Sequence, residues 1–123
     1  MAVKELTLEK FIEETGSAAP TPGGGSVAAL TASSAAALIE MVTNLTIGNE
    51  KYQHVDHEMQ VIQTKTAAMK RQFLDMIDED CEAFNEIMAA YKLPKNTDEE
   101  KALRMAHIQA ASQKAALVPF KIG

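Results

Sequence analysis

A proline–glycine turn that leads directly into a long apolar segment constrains the fold of this chain more than any other feature. The turn reads PTPGGGS over residues 20–26, and the segment after it runs to Ile47 with Glu40 as its only charged residue. Each proline fixes its own φ and keeps the preceding residue out of the α region, so we expect the chain to enter the turn extended. Gly25 or Ser26 is then placed to serve as the N-cap of a central helix.

The three glycines of the turn are the first candidate binding residues. Gly23, Gly24 and Gly25 lack a Cβ, so another molecule could approach the backbone closely there. The free N–H groups at the start of the helix, beside Ser26, would point into the turn and could bind an anionic or polar ligand. A tight turn without any ligand explains the same residues. No Gly-Lys-Ser/Thr or Gly-x-Gly-x-x-Gly spacing marks the turn as a nucleotide site.

The segment after the turn is apolar or small nearly all round, which is typical of a helix in the middle of a bundle. By its length it could also cross a membrane. Two serines, three threonines, Asn44 and Glu40 argue against that alternative, and its many alanines and serines favour close packing between helices. We therefore predict a buried helix and no membrane partner.

A long helix is predicted from about Glu50 to Leu93, where Pro94 would stop it. Its apolar seam advances by four and three residues in turn, the spacing of a helix packed in a bundle. The seam comprises Val55, Met59, Ile62, Thr66, Met69, Phe73, Met76, Asp80, Ala83 or Phe84, Ile87, and Ala90 or Tyr91.

Two further helices flank these. Thr7 is placed to cap the first and Gly16 to end it, and residues 97–100 form a capping-box pattern, TDEE, that opens the last. The chain is thus predicted to be all-α, one domain over residues 1–123 built as an antiparallel bundle of about four helices. The apolar face of the last helix would include Leu103, Ala106, Ala110, Leu117 and Val118.

Charge and cysteine content exclude several classes of protein. The net charge of −5 argues against a nucleic-acid partner, which would require a basic stripe. Cys81 is the only cysteine, so no internal disulfide can form. The first residues, MAVKELTLEK, lack the apolar core of a signal peptide, and a cytoplasmic location is expected.

Asp80 is the candidate catalytic residue that helical spacing suggests. At about 100° per residue it falls in the middle of the apolar seam, whereas Asp78, Glu79 and Glu82 fall on outer faces. A carboxyl group on such a seam is costly unless it is hydrogen-bonded, and burial favours its protonated form. A carboxyl group whose pKa is raised in this way suits a general acid/base near neutral pH. A structural aspartate bonded to a neighbouring helix explains the pattern equally well.

The histidines are weaker candidates. His54 and His57 lie one turn apart, but no third metal ligand can be identified, so no metal site is predicted and both are expected to be solvated. His107 lies beside the apolar positions of the last helix, and a packing role is favoured for it.

Five short segments between about Leu6 and Pro119 are shared with a known family. They are FIEE, PTPGGGSVAAL, MVTNLTIG, DEDCEAF and LPKNTDEEK. Together they resemble the helical cyclodeaminase/cyclohydrolase domain of the formiminotransferase-cyclodeaminase family, with PGGGSVAA and LPKNTDEEK as the specific part. The family domain continues beyond this C-terminus, so the resemblance covers its N-terminal part. We expect a bundle cut short in this way to cover its exposed face by forming a homodimer or higher homo-oligomer, through the alanine and serine faces of the central and long helices.

The resemblance implies an enzyme of tetrahydrofolate one-carbon metabolism, either formimidoyltetrahydrofolate cyclodeaminase or methenyltetrahydrofolate cyclohydrolase. The catalytic aspartate of the family lies in its DxDAxAF segment, which DEDCEAF matches in this chain. The resemblance therefore implies Asp80 as the first choice for the catalytic residue and Asp78 as the second. Alanine usually stands in the family where this chain has Cys81, so Cys81 is expected to be a packing residue.

In both reactions of the family one carboxyl group could move the proton, and neither requires a metal or an organic cofactor. The folate would contact the glycine turn and the serine after it, Gly23, Gly24, Gly25 and Ser26. One or more of four residues near helix ends could bind the glutamate tail of the folate: Lys51, Tyr52, Lys92 and Lys95. For each of them, however, a solvated side chain is favoured. The alternative function is a non-catalytic helical oligomerisation module.

Overall fold

A computed structural model describes residues 2–118, and every regular element within that range is helical. Four α-helices follow one another along it: α1 Leu8–Thr15, α2 Gly24–Thr46, α3 Asp56–Tyr91 and α4 Asp98–Leu117. Two short 3₁₀ segments, Val3–Glu5 and Glu50–Val55, precede α1 and α3. The predicted all-α class with about four helices is confirmed.

The caps of α1 and α4 follow the local rules expected from the sequence. Thr7 Oγ1 accepts a hydrogen bond from the Lys10 N–H at 3.1 Å, and Gly16 is the C-cap of α1. Thr97 Oγ1 accepts from the Glu100 N–H at 3.1 Å and caps α4 in the same way. At the start of each helix the threonine hydroxyl group thus accepts a hydrogen bond from an N–H group that would otherwise lack an intrahelical partner.

The start of α2 differs from the prediction. Its N-cap is Gly23, and the helix begins at Gly24 rather than after Gly25 or Ser26. The Thr21–Pro22 peptide bond that precedes it is cis. Because Ser26 lies inside the first turn and does not cap the helix, its hydroxyl group is available to bond across to a neighbouring helix.

The long helix also begins later than predicted. Residues Glu50–Val55 form a 3₁₀ segment in which Tyr52 has the non-helical angles φ −120° and ψ 18°, so α3 starts only at Asp56. It ends at Tyr91, two residues before the predicted Leu93. Between α2 and α3 the chain reverses at Gly48, whose φ of 84° is readily adopted only by glycine.

Small residues form the contact between α2 and α3. Ser26 bonds the carbonyl group of Ile77 and Ser33 that of Lys70, so the two helices run antiparallel. Small side chains allow the two backbones to approach closely enough for these bonds. The buried residues of α2 are Ser26, Ala29, Ser33, Ala36 and Thr43.

The hydrophobic core lies where α1, the start of α2 and the middle of α3 meet. Phe11, Ala29 and Ile77 form its buried centre. On α3, Ile77 and Cys81 are buried, whereas Met76 and Asp80 of the predicted seam are only partly buried. In this part of α3 the buried face is therefore displaced by one residue from the predicted seam. The partly buried residues around the centre are Val3, Leu6, Val27, Leu30, Leu74 and Met76.

Helix α4 packs antiparallel on α3, but through a different face from the one predicted. Ile108 is its buried residue and Val118 is buried just after its end. Leu103 and Leu117, predicted to face the core, are 58% and 61% exposed. The predicted apolar face of α4 is thus wrong at Leu103 and Leu117, whereas Val118 is buried and Ala110 lines the groove against α3.

Helix α2 keeps a large apolar surface outside its contact with α3. By length and composition alone this helix could cross a membrane. The alanine and serine face that we predicted to mediate self-association is used within the chain against α3. The exposed apolar residues of α2 are instead Leu38, Ile39, Met41, Val42 and Leu45.

Candidate active site at the start of α2

An apolar hollow of about 330 Å³ lies beside the first turns of α2. Among its lining residues Asp80 alone carries a charge, so the hollow combines an apolar wall with a single reactive group, as many small-molecule sites do. The lining residues are Gly25, Ala28, Ala29 and Ala32 of α2, Phe73, Met76 and Asp80 of α3, and Val118 after α4.

The Asp80 carboxylate lies against Gly25. A Cβ built at Gly25 would stand 2.5 Å from both Cγ and Oδ2 of Asp80, far inside van der Waals contact. Gly25 is the second residue of α2, so the carboxylate lies near the positive end of that helix's dipole. Both residues were predicted as site residues from sequence, and the structure brings them together.

The other two glycines of the turn have different surroundings. A Cβ at Gly24 would meet nothing within 4 Å, so this position is open to an approaching molecule. A Cβ at Gly23 would lie 3.6 Å from the Pro20 carbonyl oxygen, an ordinary contact. Neither residue lines the hollow itself.

Ser26 is closed off from the hollow. Its side chain is 0% exposed, and its Oγ donates a hydrogen bond to the Ile77 carbonyl oxygen at 2.9 Å. Cys81 Sγ lies 3.2 Å from the same Oγ, and Asp80 Oδ2 lies 3.5 Å from it. This burial corrects the prediction that Ser26 contacts a ligand, because the residue faces α3.

Asp78, the second predicted catalytic choice, holds the N-terminal segment. Its Oδ1 accepts from the Val3 N–H at 2.6 Å and its Oδ2 from the Lys4 N–H at 3.1 Å. Asp78 does not line the hollow, and both its oxygens are engaged elsewhere. One turn earlier, a hydrogen bond from Lys4 Nζ at 2.6 Å lowers the pKa of the Asp75 carboxyl group below its usual value.

Cys81 lies behind Ser26 and is 4% exposed. Burial raises the pKa of its thiol, the hydrogen bond with Ser26 opposes that shift, and the negative charges of Asp80, Asp78 and Glu82 add to it. A thiol that resists ionisation is a poor nucleophile. The environment therefore favours the packing role expected for Cys81.

The weaker candidates lie away from the hollow. Within residues 2–118, no three His, Cys, Asp or Glu side chains are grouped closely enough to hold a metal ion. The exposed side chains, as predicted for solvated residues, are Lys51, Tyr52, His54, His57, Lys92 and Lys95.

A second groove, of about 380 Å³, lies between α3 and α4. It is lined mainly by alanines and Leu93, and it also includes His107, which is exposed and whose Nδ1 bonds the Leu103 carbonyl oxygen at 2.9 Å. Its two charged residues, Glu86 and Lys114, pair with each other at 2.9 Å. Although this groove is larger, none of its lining residues was predicted as a site residue, whereas the hollow brings Gly25 and Asp80 together, so the hollow is the better candidate site.

Comparison with known proteins shows to which family the chain belongs. The sequence profile of formiminotransferase-cyclodeaminase matches residues 7–123, a span that contains both Gly25 and Asp80. The chain belongs to this family. A methenyltetrahydrofolate cyclohydrolase of Methylorubrum extorquens is 49% identical over 114 residues, which are 93% of this chain and 55% of that protein.

Two further relatives of the formiminotransferase-cyclodeaminase family extend the comparison. A formimidoyltransferase-cyclodeaminase of Rattus norvegicus is 37% identical over 118 residues, 96% of this chain and 22% of that protein. A crystal structure of formiminotetrahydrofolate cyclodeaminase from Thermotoga maritima matches with a TM-score of 0.79 at 33% identity. The match covers 98% of this chain and 56% of that one. The chain thus spans about half the length of the cyclohydrolase and of the solved cyclodeaminase.

Within this family fold, several lining residues were not among the site residues predicted from sequence. Phe73 and Met76 were assigned to the packing seam of the long helix. Ala28 and Ala32 follow Gly25 at helical spacing on the same face of α2, so their positions relative to the glycine turn were the available signal. Val118 reaches the hollow only because α4 returns along α3, which no local pattern indicates.

Proposed function

We propose that this chain carries the acid/base site of a tetrahydrofolate one-carbon enzyme, either formimidoyltetrahydrofolate cyclodeaminase or methenyltetrahydrofolate cyclohydrolase. The Asp80 carboxylate carries this proposal, since it is the single charged group on the wall of the apolar hollow and lies at the glycine turn. Membership of the family, and 49% identity to a protein named as a cyclohydrolase, support the class of substrate.

Cyclodeamination requires one proton to move between two nitrogens. Nitrogen 10 of the folate attacks the formimino carbon, and ammonia leaves from the tetrahedral centre. Asp80 takes the proton from the attacking nitrogen and delivers it to the departing amine, which restores the carboxylate. The hydrogen bond that Asp80 accepts from Ser26 is long, at 3.5 Å, so its oxygens are available to a substrate.

Cyclohydrolysis uses the same carboxylate with a different nucleophile. Water attacks the carbon of the methenyl bridge while Asp80 accepts one of its protons. Asp80 then delivers that proton to one bridge nitrogen as the bond from carbon to that nitrogen breaks, which restores the carboxylate. The remaining hydroxyl proton passes to solvent as the formyl group forms. The apolar wall that includes Phe73 and Met76 lowers the local polarity and so strengthens the electrostatic effect of the single carboxylate. Neither scheme requires a metal ion or an organic cofactor.

The absorbance of the methenyl group tests both activities in one assay. We expect the chain to form methenyl-tetrahydrofolate from the formimino compound if it is a cyclodeaminase, and to consume it if it is a cyclohydrolase. Binding of each compound is measured in parallel by titration calorimetry. A folded chain that neither binds nor converts either compound contradicts the proposal.

The exposed apolar surface of α2 supports a second candidate function, association without catalysis. Leu38, Val42 and Leu45 are 59%, 56% and 71% exposed and recur at helical spacing, so they form one continuous patch. Patches of this kind mark interaction surfaces. We propose that this surface joins copies of the chain into a homodimer or higher homo-oligomer.

Folate binding separates the two candidates. An associating module has no need of a folate, whereas the enzyme needs one at the glycine turn. Gly24 is open to an approaching molecule, so Gly24→Val should abolish folate binding while helix content, measured by circular dichroism, stays largely intact. Unchanged binding in this variant would show that the turn only leads into the helix.

A further inference from the structure

The buried hydroxyl group of Ser26 has more partners than it can serve at once. It donates to the Ile77 carbonyl oxygen at 2.9 Å, while Asp80 Oδ2 lies 3.5 Å and Cys81 Sγ 3.2 Å from the same Oγ. A serine hydroxyl has one hydrogen to donate and two lone pairs that accept. Its hydrogen can therefore point to Ile77 or to Asp80, but not to both.

Neither alternative leaves a buried group without a partner. Ile77 lies within α3, so its carbonyl group also accepts the intrahelical bond from the N–H four residues on and does not depend on Ser26. The Cys81 thiol keeps its hydrogen, because burial raises its pKa, and can donate that hydrogen to Ser26 Oγ in either state. Rotation of one hydroxyl group is then the only change required.

We propose that Ser26 is a positioning residue for Asp80, with a hydroxyl that turns from the Ile77 carbonyl to Oδ2 whenever the Asp80 carboxylate is ionised. When Asp80 has taken a proton from the substrate, the hydroxyl returns to Ile77. The Ser26 hydrogen stays on its oxygen throughout, and the transferred proton passes only between the substrate and Asp80. The inference rests on the proposed acid/base function of Asp80 for its catalytic meaning, but the contact itself exists without a substrate.

The burial of Ser26 requires that it act through another residue. At 0% exposure its side chain cannot touch a molecule in the hollow. The 3.5 Å distance to Oδ2 is at the long end of the range for a hydrogen bond, and Ser26 Oγ lies close enough to donate to the carboxylate in the chain without substrate. Ser26 therefore fixes where the ionised carboxylate points.

Ser33 provides a matched control on the same helix. It lies two turns along the same face of α2, is 4% exposed, and donates from Oγ to the Lys70 carbonyl oxygen at 3.0 Å. It thus repeats the contact between Ser26 and Ile77, but without a carboxylate beside it. Ser26→Ala and Ser33→Ala each remove one buried hydroxyl bonded to a carbonyl group of α3.

The direct test is a carbon-13 NMR titration of the Asp80 carboxyl group, whose resonance is assigned by its absence in Asp80→Asn. We expect a higher titration midpoint in Ser26→Ala than in the wild type, because the ionised form loses a donor. Ser33→Ala should leave the midpoint unchanged. Ser26→Thr, which keeps the hydroxyl, should restore it.

The titratable neighbours of Asp80 are the same in all three variants, so they do not account for a difference. None of the lining residues that face Asp80 from α2 or from the end of α4 is titratable. Those on α3 are Asp78, Glu79, Cys81 and Glu82. If Ser26→Ala fails to fold, Ser26→Val has the shape of Ser26→Thr without its hydroxyl group, adds no titratable group, and should show the same upward shift relative to Ser26→Thr.

Turnover gives a second, separable readout. Ser26→Ala should lower kcat by about tenfold, part of the 10²–10⁴-fold that acid/base catalysis supplies, with KM unchanged, while Ser33→Ala alters neither. An unshifted Asp80 midpoint in Ser26→Ala overturns the positioning role whatever the activity. A shifted midpoint in a chain that converts neither folate supports the contact and rejects the proposed function instead.

Discussion

The carboxylate of Asp80 occupies the space that a side chain at Gly25 would fill. A Cβ at that glycine would stand 2.5 Å from Asp80 Cγ, and the two residues belong to helices whose contact sets the wall of the hollow. The missing side chain at Gly25 thus fixes where the carboxylate can lie. This relationship gives the glycine turn a role in positioning the carboxylate, beyond its role in starting α2.

Gly25→Ala should fold but displace the carboxylate. Alanine is a better helix former than glycine, and Asp80 is partly exposed and can rotate away, so we expect an unchanged or slightly raised melting temperature. Turnover should fall by about 10²-fold, the cost of misplacing a catalytic group by about 1 Å. Gly16→Ala is the control, since its methyl group would make only ordinary contacts at the end of α1, away from the hollow, and should leave kcat unaltered. Equal kcat values for the two variants would contradict the assigned contact.

Substitution of the two aspartates with asparagine should separate catalysis from structure. Asp80→Asn should lower turnover by about 10²–10⁴-fold with little change in stability, because Asp80 accepts only a long hydrogen bond from Ser26. Asp78→Asn should keep its turnover but lower the free energy of unfolding by about 1–3 kcal/mol, because it weakens two bonds to backbone N–H groups. Thermal melting and the absorbance assay measure both effects. An Asp80→Asn protein that melts earlier yet turns over normally would exclude Asp80 as the catalytic residue.

The Cys81 thiol should react only when the chain opens. Burial raises its pKa, so the folded chain holds the proton at pH values where the unfolded thiol, near 8.5, has lost it. Stability should therefore fall as the pH rises above that value. Labelling with a thiol reagent at about pH 8.5 should be slow in buffer and fast in denaturant. Native labelling at the rate of a free thiol would refute the burial of this residue.

The pairing of Lys4 with Asp75 should stabilise the fold only where Asp75 is ionised. The hydrogen bond from Lys4 lowers the pKa of Asp75 in the folded chain, so its contribution is complete above the unfolded value of about 3.9 and is lost as the pH falls through the lower folded value. Asp75→Asn should therefore melt slightly earlier than the wild type at neutral pH and equally in strong acid. In a Lys4→Met background, Asp75→Asn should lower the melting temperature by less. An equal decrease in both backgrounds would show that groups other than Lys4 account for the stabilisation.

Replacement of Leu45 by glutamate should prevent self-association. Leu45 is 71% exposed at the end of the apolar patch on α2, and a charge there would have to be desolvated in any interface. Leu8→Glu is the control, because Leu8 is 75% exposed but lies on α1. Sedimentation should show an oligomeric wild type and Leu8→Glu protein and a monomeric Leu45→Glu protein. A well-folded wild-type monomer at micromolar concentration would reject the interface.

Local signals in the sequence were sufficient where a structure depends on near neighbours. Thr7 and Thr97 bond N–H groups three residues away, and Gly16 ends α1, so these ends are decided within a single turn. The family motifs and the helical spacing together also selected Asp80 over Asp78. In the structure Asp80 lines the hollow and Asp78 bonds the N-terminal segment, and the catalytic role of Asp80 stays a prediction.

By itself the sequence determined the all-α class, both ends of α1 and the start of α4, because those depend on contacts within a few residues. It also predicted Asp80 as the candidate acid/base group. Which faces meet was decided only in the tertiary structure. Hydrophobic spacing would bury leucines, yet α2 packs through Ser26 and Ser33 because small side chains let its backbone approach α3 and bond its carbonyl groups, while Leu45 stays exposed. That close approach brings Gly25 against Asp80, a contact between residues far apart in the chain that no local pattern encodes.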